Sequence, residues 1–397
     1  MGAVINGKWG ASFLKNIKTP AFIIDQNILQ SDLVALKKVS DQAECKLLYS
    51  LKASSSLEVL RSLIPHVEGF GCSSLFELKL IDSVCNEKRS LHLVSPLITQ
   101  EVLEELGERL QYLTVNSLSQ WDTLRRNIHP STQVGLRVNP QISFVGDPRY
   151  DPCRQHSKLG VPIDTLAELV RSNQECLRGI TGLHFHTNCD EENFSSLLAT
   201  ARHVQDILPH VLERISWVNM GGGYLFNTAE SLDDFYSAVS IFRNGYGLDV
   251  FIEPGAALVR RSGTIVAEVQ DIFESDGRQI AVLDTTVNHM PEVFEFQFEP
   301  DVLGYVEGGL HSYILAGCTC LAGDVFGEYT FDTPLTVGSR ITFLNMGAYT
   351  MTKAHRFNGV ALPTVYTRQP NGSLKLIRED TYHDFVSYMG TDDHAVA

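Results

Sequence analysis

The chain contains 397 residues with a formal net charge of −15, which argues against a nucleic-acid binder and is compatible with a cationic substrate. No apolar run approaches the roughly 20 residues of a membrane span, and residues 1–13 lack the pattern of a secretory signal. Eight cysteines are dispersed along the chain, a pattern typical of reduced thiols in a cytoplasmic protein.

Strand-like and helical segments alternate over the first two thirds of the chain. A strand at 21–25 and a helix from about 27 to 43 come first. Eight apolar runs then follow: Lys46–Ser50, Gly69–Ser73, Leu91–Val94, Tyr112–Val115, Val134–Val138, Gly182–His186, Trp217–Met220 and Val250–Glu253. Eight strand–helix units predict an α/β fold, a parallel (β/α)8 barrel. An open doubly wound sheet is the alternative, but no G-x-G-x-x-G motif follows the first strand.

Beyond Pro254 the pattern changes to strand-like runs joined by turns, with little helix. These runs are Thr264–Val269, Gln279–Leu283, His311–Leu315, Arg340–Leu344 and Ser373–Ile377. Such a pattern predicts a second domain built from antiparallel strands. We therefore predict a barrel domain over residues 22–256 and an antiparallel β domain over 257–397, which the N-terminal residues 1–21 join.

The carboxyl ends of the eight predicted strands carry polar and glycine residues. In a (β/α)8 barrel these ends share one rim, where the chemistry is located. The residues at this rim are Lys52, Cys72, Ser73, Asn116, Arg137 to Asn139, His184 to Cys189, Gly221 to Gly223, and Glu253 to Gly255. The sequence therefore predicts a functional site there.

Three of these features indicate a particular chemistry. Burial at a barrel mouth lowers the pKa of Lys52 and makes its amine available to a carbonyl compound, although most lysines lie on solvated faces. The glycines 221–223 can close their backbone N–H groups on a phosphate, or can form a tight turn. Glu253 is a buried carboxylate that needs a partner, which a protonated pyridine nitrogen would supply.

The histidine pair admits two interpretations. His184 and His186 lie two residues apart on a strand and point to the same face, so with Cys189 they could bind a metal. The alternative is that one histidine stacks on a flat heteroaromatic ring. Metal-dependent hydrolase barrels carry a His-x-His pair on their first strand, whereas this pair is on the sixth. We therefore expect no metal site.

Ten short motifs resemble the pyridoxal-phosphate-dependent decarboxylases with the alanine-racemase-like fold, which include ornithine, arginine and diaminopimelate decarboxylases. Within that group the chain is most similar to carboxynorspermidine and carboxyspermidine decarboxylases. The motifs begin at Thr19, Leu51, Tyr150, Ser157, His186, Met220, Glu253, His289, Cys320 and Gly347, and read TPAF, LKA, YDPCR, SKLG, HTNC, MGGG, EPG, HMP, CLAGD and GAYT. They extend over nearly the whole chain.

The resemblance implies pyridoxal 5′-phosphate as cofactor and a role for each matching residue. Lys52 would be the Schiff-base lysine and a catalytic residue together with His186 and Cys320. The residues implied in cofactor binding are Lys52, Arg137 near the ring edge, His186 stacked on the ring, Gly221, Gly222, Gly223 and Tyr349 at the phosphate, and Glu253 at the pyridine nitrogen. Asp324 and His289 would bind substrate. Cys320 and Asp324 would reach the site of the opposite subunit in a homodimer.

Two departures from the family pattern constrain the substrate. Leu321 follows Cys320 where ornithine decarboxylases have an aspartate and diaminopimelate decarboxylases a glutamate, which disfavours both activities. Ala256 replaces the arginine that helps those enzymes to grip phosphate.

We therefore expect α-decarboxylation of carboxynorspermidine or carboxyspermidine to norspermidine or spermidine, with Cys320 as the general acid. The alternatives are a carboxyaminopropylagmatine decarboxylase, another decarboxylase of basic amino acids, a non-catalytic pyridoxal-phosphate-binding protein and a metal-dependent hydrolase.

Overall fold

A computed structural model describes residues 17–85 and 89–390 of the chain. They form two compact units, one from Gln30 to Val259 and the other from the chain up to Leu29 together with the chain from Arg260 onwards. The limits 22–256 and 257–397 remain a prediction for domains that fold independently. The part of that prediction that concerns residues 1–16 and 391–397 lies outside the described residues.

The unit Gln30–Val259 contains the predicted barrel. Strand β1 (Ala21–Asp25) precedes the barrel in the chain; it belongs to the other unit and pairs with strands there. The barrel strands, with the two-residue β7 attached to β6, are β2 (Lys46–Ser50), β3 (Gly69–Cys72), β4 (Ser90–Val94), β5 (Tyr112–Val115), β6 (Gln133–Asn139), β7 (Val161–Pro162), β8 (Gly182–His184), β9 (Trp217–Asn219) and β10 (Asp249–Ile252). Eight of them pair in parallel around a ring, which the β10–β2 pairing closes. The prediction of a (β/α)8 barrel is confirmed.

Helices alternate with these strands along the chain. Their bounds are Gln26–Ala43, Leu57–Leu63, Leu75–Val84, Gln100–Leu106, Leu118–Leu124, Ile163–Ser172, Ser195–Ile207, Pro209–Leu212, Asp233–Tyr246 and Ala256–Val259. The first shows how they pack, since Leu29, Leu33 and Leu36 recur at helical spacing and are all buried. None of the helices in the described part of the chain is long and apolar enough to span a bilayer.

Large side chains fill the amino end of the barrel. Leu48, Trp217 and Phe251 form a buried cluster against which Tyr112 packs. Two glycines leave room for the indole: a Cβ at Gly182 would lie 2.1 Å from the Trp217 ring. This packed end leaves the opposite rim, at the carboxyl ends of the strands, for chemistry.

The second unit is built on a mixed sheet. Its further strands are β11 (Gly263–Ser275), β12 (Arg278–Leu283), β13 (His311–Ala316), β14 (Val325–Phe331), β15 (Arg340–Phe343), β16 (Thr364–Arg368) and β17 (Leu374–Arg378), and its helices are Pro291–Phe296 and Tyr382–Met389. The predicted β domain is present and most of its strand pairs are antiparallel, but the sheet is mixed, because β1 pairs in parallel with β16 and β12 with β13. Both parallel pairs join strands separated by long connections, which leave room for the chain to return in the same direction.

Candidate active site

Five neighbouring strands of the barrel carry the predicted site residues at or beyond their carboxyl ends. Lys52 follows β2, and Glu253 follows β10, which pairs with β2. The glycines 221–223 follow β9, His186 follows β8, and Arg137 lies near the end of β6. Because β2, β10, β9, β8 and β6 adjoin in this order, the five groups share one part of the rim.

Glu253 is a nearly buried carboxylate held by two side chains of the barrel interior. Asn219 Nδ2 donates a hydrogen bond to Oε1 over 2.7 Å, and His184 Nε2 lies 3.7 Å from Oε2. Burial by itself raises the pKa of a carboxyl, but the contact with His184 and the hydrogen bond from Asn219 outweigh it and lower the pKa of Glu253 to about 2. Burial also lowers the pKa of His184. Glu253 is therefore ionised at neutral pH.

The glycine triplet makes contacts that a side chain would prevent. Gly221 and Gly223 have positive φ angles of 72° and 92°, and a Cβ at Gly222 would lie 2.1 Å from the backbone oxygen of a neighbouring strand end. Two of the three amides already have partners inside the protein. Gly221 N–H donates to Asn219 Oδ1 over 2.9 Å, and Gly222 N–H donates to His186 Nδ1 over 3.0 Å. The triplet is thus tied to two ring-side residues.

The bond from Gly222 assigns the tautomer of His186. Since Nδ1 accepts a hydrogen bond, the neutral ring carries its proton on Nε2. Burial, together with the positive charges of Lys52 and Arg137, lowers the pKa of His186 well below its usual range. A neutral, flat and fixed imidazole at this rim suits contact with a heteroaromatic ring.

Lys52 is an exposed residue at the barrel mouth, but the protein atoms around its amine remove part of the water that would stabilise the charged form. This loss of hydration lowers the pKa of Lys52; the negative charge of Glu253 opposes the shift and the positive charge of Arg137 reinforces it. Burial lowers the pKa of Arg137 as well, but a guanidinium stays charged at neutral pH. The surroundings of Lys52 therefore favour the neutral, nucleophilic form of the amine.

Cys320 and Asp324 lie on one loop of the second unit. Cys320 is exposed, and its N–H donates to Asn358 Oδ1 over 2.8 Å. Asp324 is buried and accepts hydrogen bonds from Val287 N–H over 2.8 Å and from both the N–H and the hydroxyl of Thr319. A substrate contact of Asp324 remains a prediction, while its present contacts support a role in holding the Cys320 loop.

His289 and Tyr349 also belong to the second unit. His289 is fully buried, its Nδ1 lies 3.0 Å from Thr285 Oγ1, and burial lowers its pKa to about 4 despite the attraction of Asp324. Tyr349 is half-buried and has a positive φ of 56°, which few non-glycine residues adopt. The predicted roles of both residues remain predictions.

One residue of this site was missed as a functional candidate, and a second has a different role from the predicted ones. The sequence indicates Asn219 only as part of a buried strand, and His184 as a possible metal ligand or ring-stacking histidine. A signal was available for Asn219, because an amide on a strand buried on both faces needs hydrogen-bond partners. The sequence does not show which strands are neighbours. The strand register places His184 directly opposite Asn219, and both side chains contact Glu253.

Comparison with known proteins identifies the family. Residues 29–260 match the family described as "Pyridoxal-dependent decarboxylase, pyridoxal binding domain". The chain belongs to the pyridoxal-dependent decarboxylases. It is therefore a carboxy-lyase, and family membership decides against the metal-dependent hydrolase and the non-catalytic binding protein.

Similar members of this family are known by activity. A carboxynorspermidine/carboxyspermidine decarboxylase of Campylobacter jejuni is 30% identical, over 94% of this chain and 99% of the relative. A carboxyaminopropylagmatine decarboxylase of Synechocystis is 31% identical, over 95% and 97%. The crystal structure of a C. jejuni carboxynorspermidine decarboxylase complexed with norspermidine has a TM-score of 0.84 at 29% identity and covers 94% of this chain and 100% of that one.

Proposed function

We propose that this decarboxylase acts on carboxynorspermidine or carboxyspermidine and produces norspermidine or spermidine. The observation that carries the proposal is the full-length similarity to the Campylobacter enzyme, at 30% identity over 99% of that relative. The norspermidine named in the matching crystal structure is a product of this kind. Leu321 supports a longer substrate than ornithine, since no acidic side chain follows Cys320.

We infer that pyridoxal 5′-phosphate is held on the barrel rim. The donor set fits this group: Lys52 offers an amine to the aldehyde, and Glu253 offers an ionised acceptor to the pyridine nitrogen. The neutral His186 ring would lie against the pyridine ring, and Arg137 near the ring's edge. Gly221 and Gly222 would contribute mainly by shaping the turn, because their amides have internal partners.

The phosphate would then depend on Gly223, the third glycine, and on Tyr349. Among the described residues, the Gly223 N–H has no hydrogen-bond acceptor, whereas the N–H groups of Gly221 and Gly222 each donate to a side chain. Ala256 cannot supply the charge that an arginine would supply at that position. Backbone donors must therefore carry more of the phosphate's charge.

When bound, the cofactor supplies an electron sink for the pair released as the carboxylate leaves Cα. Lys52 would hold the cofactor through its aldehyde carbon. Glu253 would keep the pyridine nitrogen protonated, which would strengthen the sink. Cys320, with His289 and Asp324 of the same unit near the substrate, would return a proton to Cα.

A second candidate is carboxyaminopropylagmatine decarboxylation. The Synechocystis relative favours it, with 31% identity over 95% of this chain. The guanidino end of carboxyaminopropylagmatine takes the place of the distal amine of a carboxylated polyamine. The two candidate substrates therefore share the reacting carbon and differ at the distal end.

The deciding experiment compares kcat/KM for carboxynorspermidine, carboxyspermidine and carboxyaminopropylagmatine, with carbon dioxide release as the readout. We expect one of the first two to exceed the third by at least roughly tenfold, because a distal group that loses its partner costs at least this factor. Preference for the guanidino substrate would transfer the assignment to the second candidate, and diaminopimelate serves as the control that Leu321 disfavours.

We further propose a cytoplasmic homodimer whose active sites are shared between subunits. Support for the compartment comes from the cysteines, since no disulfide joins any of the eight, all of which lie within the described residues. Support for sharing comes from the family resemblance of the exposed Cys320 loop. The substrate would be a small cationic molecule, consistent with the net charge of −15.

A further inference from the structure

We propose that Asn219 is a positioning residue that couples the glycine turn to the carboxylate partner of the cofactor ring. This inference rests on the proposed function and deepens it. The observation is a closed set of three hydrogen bonds. Gly221 N–H donates to Asn219 Oδ1 over 2.9 Å, Asn219 Nδ2 donates to Glu253 Oε1 over 2.7 Å, and Glu253 N–H donates to Gly221 O over 2.7 Å.

Only an amide satisfies both side-chain bonds at this position. Asn219 is 1% exposed, so each of its polar atoms needs a partner inside the protein. The Gly221 N–H requires an acceptor and the ionised Glu253 requires a donor, which also fixes which end of the amide is nitrogen. An aspartate would keep the acceptor for Gly221 and place a like charge against Glu253.

The strand register explains why Asn219 can reach both partners. It is the last residue of β9, directly opposite His184 of β8 and Phe251 of β10. Glu253 follows Phe251 by two residues, so its side chain returns to the same inner face of the barrel. Asn219 therefore approaches one carboxylate oxygen while His184 faces the other at 3.7 Å.

The consequence concerns the protonation state of Glu253. A buried carboxylate that loses a donor tends to take up a proton, and a protonated Glu253 would accept only a weaker hydrogen bond, without the attraction of opposite charges, from a protonated pyridine nitrogen. A second consequence concerns the glycine turn, because the Gly221 N–H donates to Asn219 Oδ1 and would lose this acceptor. Asn219 thereby controls both the electronics at the ring nitrogen and the placement of the phosphate turn.

The test uses the full-length holoenzyme and the substitutions Asn219→Asp and Asn219→Ser. The control is Asn227→Ala, which removes an asparagine whose Nδ2 donates to the Ala257 carbonyl over 2.9 Å, outside this set. For each protein we would measure the absorbance spectrum of bound pyridoxal phosphate across pH, the dissociation constant for the cofactor, kcat and KM.

We expect Asn219→Asp to lower kcat by roughly tenfold or more with little change in KM, the factor expected when a hydrogen bond to a charged group is lost. The spectrum of its bound cofactor should change with pH over a different range from the wild type. Asn219→Ser, which cannot span both partners, should in addition weaken cofactor binding roughly tenfold. Asn227→Ala should keep the wild-type spectrum and kcat.

A purely structural role would lower the melting temperature and leave the spectrum and kcat of the folded holoenzyme unchanged, and that result overturns the inference. If Asn219→Asp fails to fold, the same reading is taken from Asn219→Ser. If the wild type binds pyridoxal phosphate and the Asn219 variants have the same spectrum as the wild type, the inference is wrong and the proposed function stands. A wild-type chain that neither binds the cofactor nor releases carbon dioxide overturns the proposed function and the inference with it.

Discussion

At the scale of single residues, the candidate site holds two ionisable groups whose lowered pKa values favour opposite charge states: a neutral lysine and an ionised glutamate. Burial lowers the pKa of Lys52, which favours the neutral amine. Glu253 is buried as well, but the contacts with His184 and Asn219 reverse the effect and lower its pKa to about 2. At one rim the surroundings thus shift Lys52 towards the nucleophilic amine and keep Glu253 ionised, and such opposed preferences are typical of an acid–base site.

Replacing Lys52 with alanine should abolish covalent cofactor attachment and reduce carbon dioxide release by several orders of magnitude, since no other amine would hold the aldehyde. The measurement is borohydride reduction with pyridoxal phosphate followed by mass spectrometry of the labelled peptide. Lys46→Ala is the matched control, because Lys46 begins the strand that Lys52 follows and pairs with Asp249 over 2.7 Å instead. A label on another lysine, or full activity of Lys52→Ala, would contradict the assignment.

The depressed pKa of Glu253 predicts a particular dependence of stability on acid. Because its folded-state pKa of about 2 lies below the ordinary 4.5, its contribution is fully present above pH 4.5 and is lost as the pH falls towards 2. The difference in free energy of unfolding between wild type and Glu253→Gln should therefore shift by about 2 kcal/mol between pH 7 and pH 3. Denaturant titrations of both proteins in the same cofactor state measure it.

The control for that experiment is Glu307→Gln, which alters an exposed glutamate. Its difference from the wild type should change much less over the same interval. Equal pH dependence of the Glu253 and Glu307 variants would mean that Glu253 is not held as a buried carboxylate.

At the scale of elements, the barrel is closed at its amino end by aromatic packing. His92 stacks on Tyr112 with ring centroids 4.2 Å apart, and the Tyr112 ring meets the edge of Trp217 at 5.3 Å. Glycines on β6 and β8 admit the indole, since a Cβ at Gly135 or Gly182 would collide with it. The strands can therefore converge around this cluster and present their other ends as an open rim.

Substituting Gly182 with alanine should destabilise the barrel by about 1–3 kcal/mol, the usual cost of overpacking a core, because Trp217 has no space to retreat. Gly245→Ala offers the opposite case, since nothing lies within 4 Å of a Cβ there and the residue is in the helix Asp233–Tyr246. That variant should keep or gain up to about 1 kcal/mol. Thermal and urea unfolding compare the two, and equal stabilities would contradict this account of the packing.

At the scale of the whole molecule, the residues that the resemblance assigns to one reaction belong to two compact units. Lys52 and Glu253 lie in the unit Gln30–Val259, while Cys320 and Tyr349 lie in the other. The loop of Cys320 is organised by contacts within its own unit, through Asn358 and Asp324. The loop that carries the predicted catalytic cysteine is therefore held by contacts inside its own unit.

The proposed sharing of sites predicts complementation between inactive variants. Lys52→Ala and Cys320→Ala dimers, mixed under conditions that exchange subunits, should recover roughly a quarter of the wild-type activity, because half of the dimers are then mixed and each holds one intact site. Neither variant alone should recover. Absence of any gain, with subunit exchange verified by mass spectrometry, would place all the catalytic groups of a site in one chain.

The apolar pattern of the chain predicts the barrel and the places of its main polar groups. Buried parallel strands read as short apolar runs, so all eight were located within one or two residues, and polar residues at their ends marked Lys52, His186 and Glu253. Strands β14 and β16 of the second unit were missed. In β14, Gly327, with a φ of 140°, and two charged or polar neighbours interrupt the apolar pattern.

How these groups are held follows from the packing of the strands. Asn219 and Gly221 are close in the chain, but their bonds to Glu253, more than 30 residues further on, exist because β9 and β10 are paired in one register. The parallel pairing of β1 with β16 likewise joins residues more than 300 positions apart. Hydrophobic periodicity is a local property that the sequence displays directly, whereas hydrogen-bond partners depend on which strands become neighbours when the chain folds.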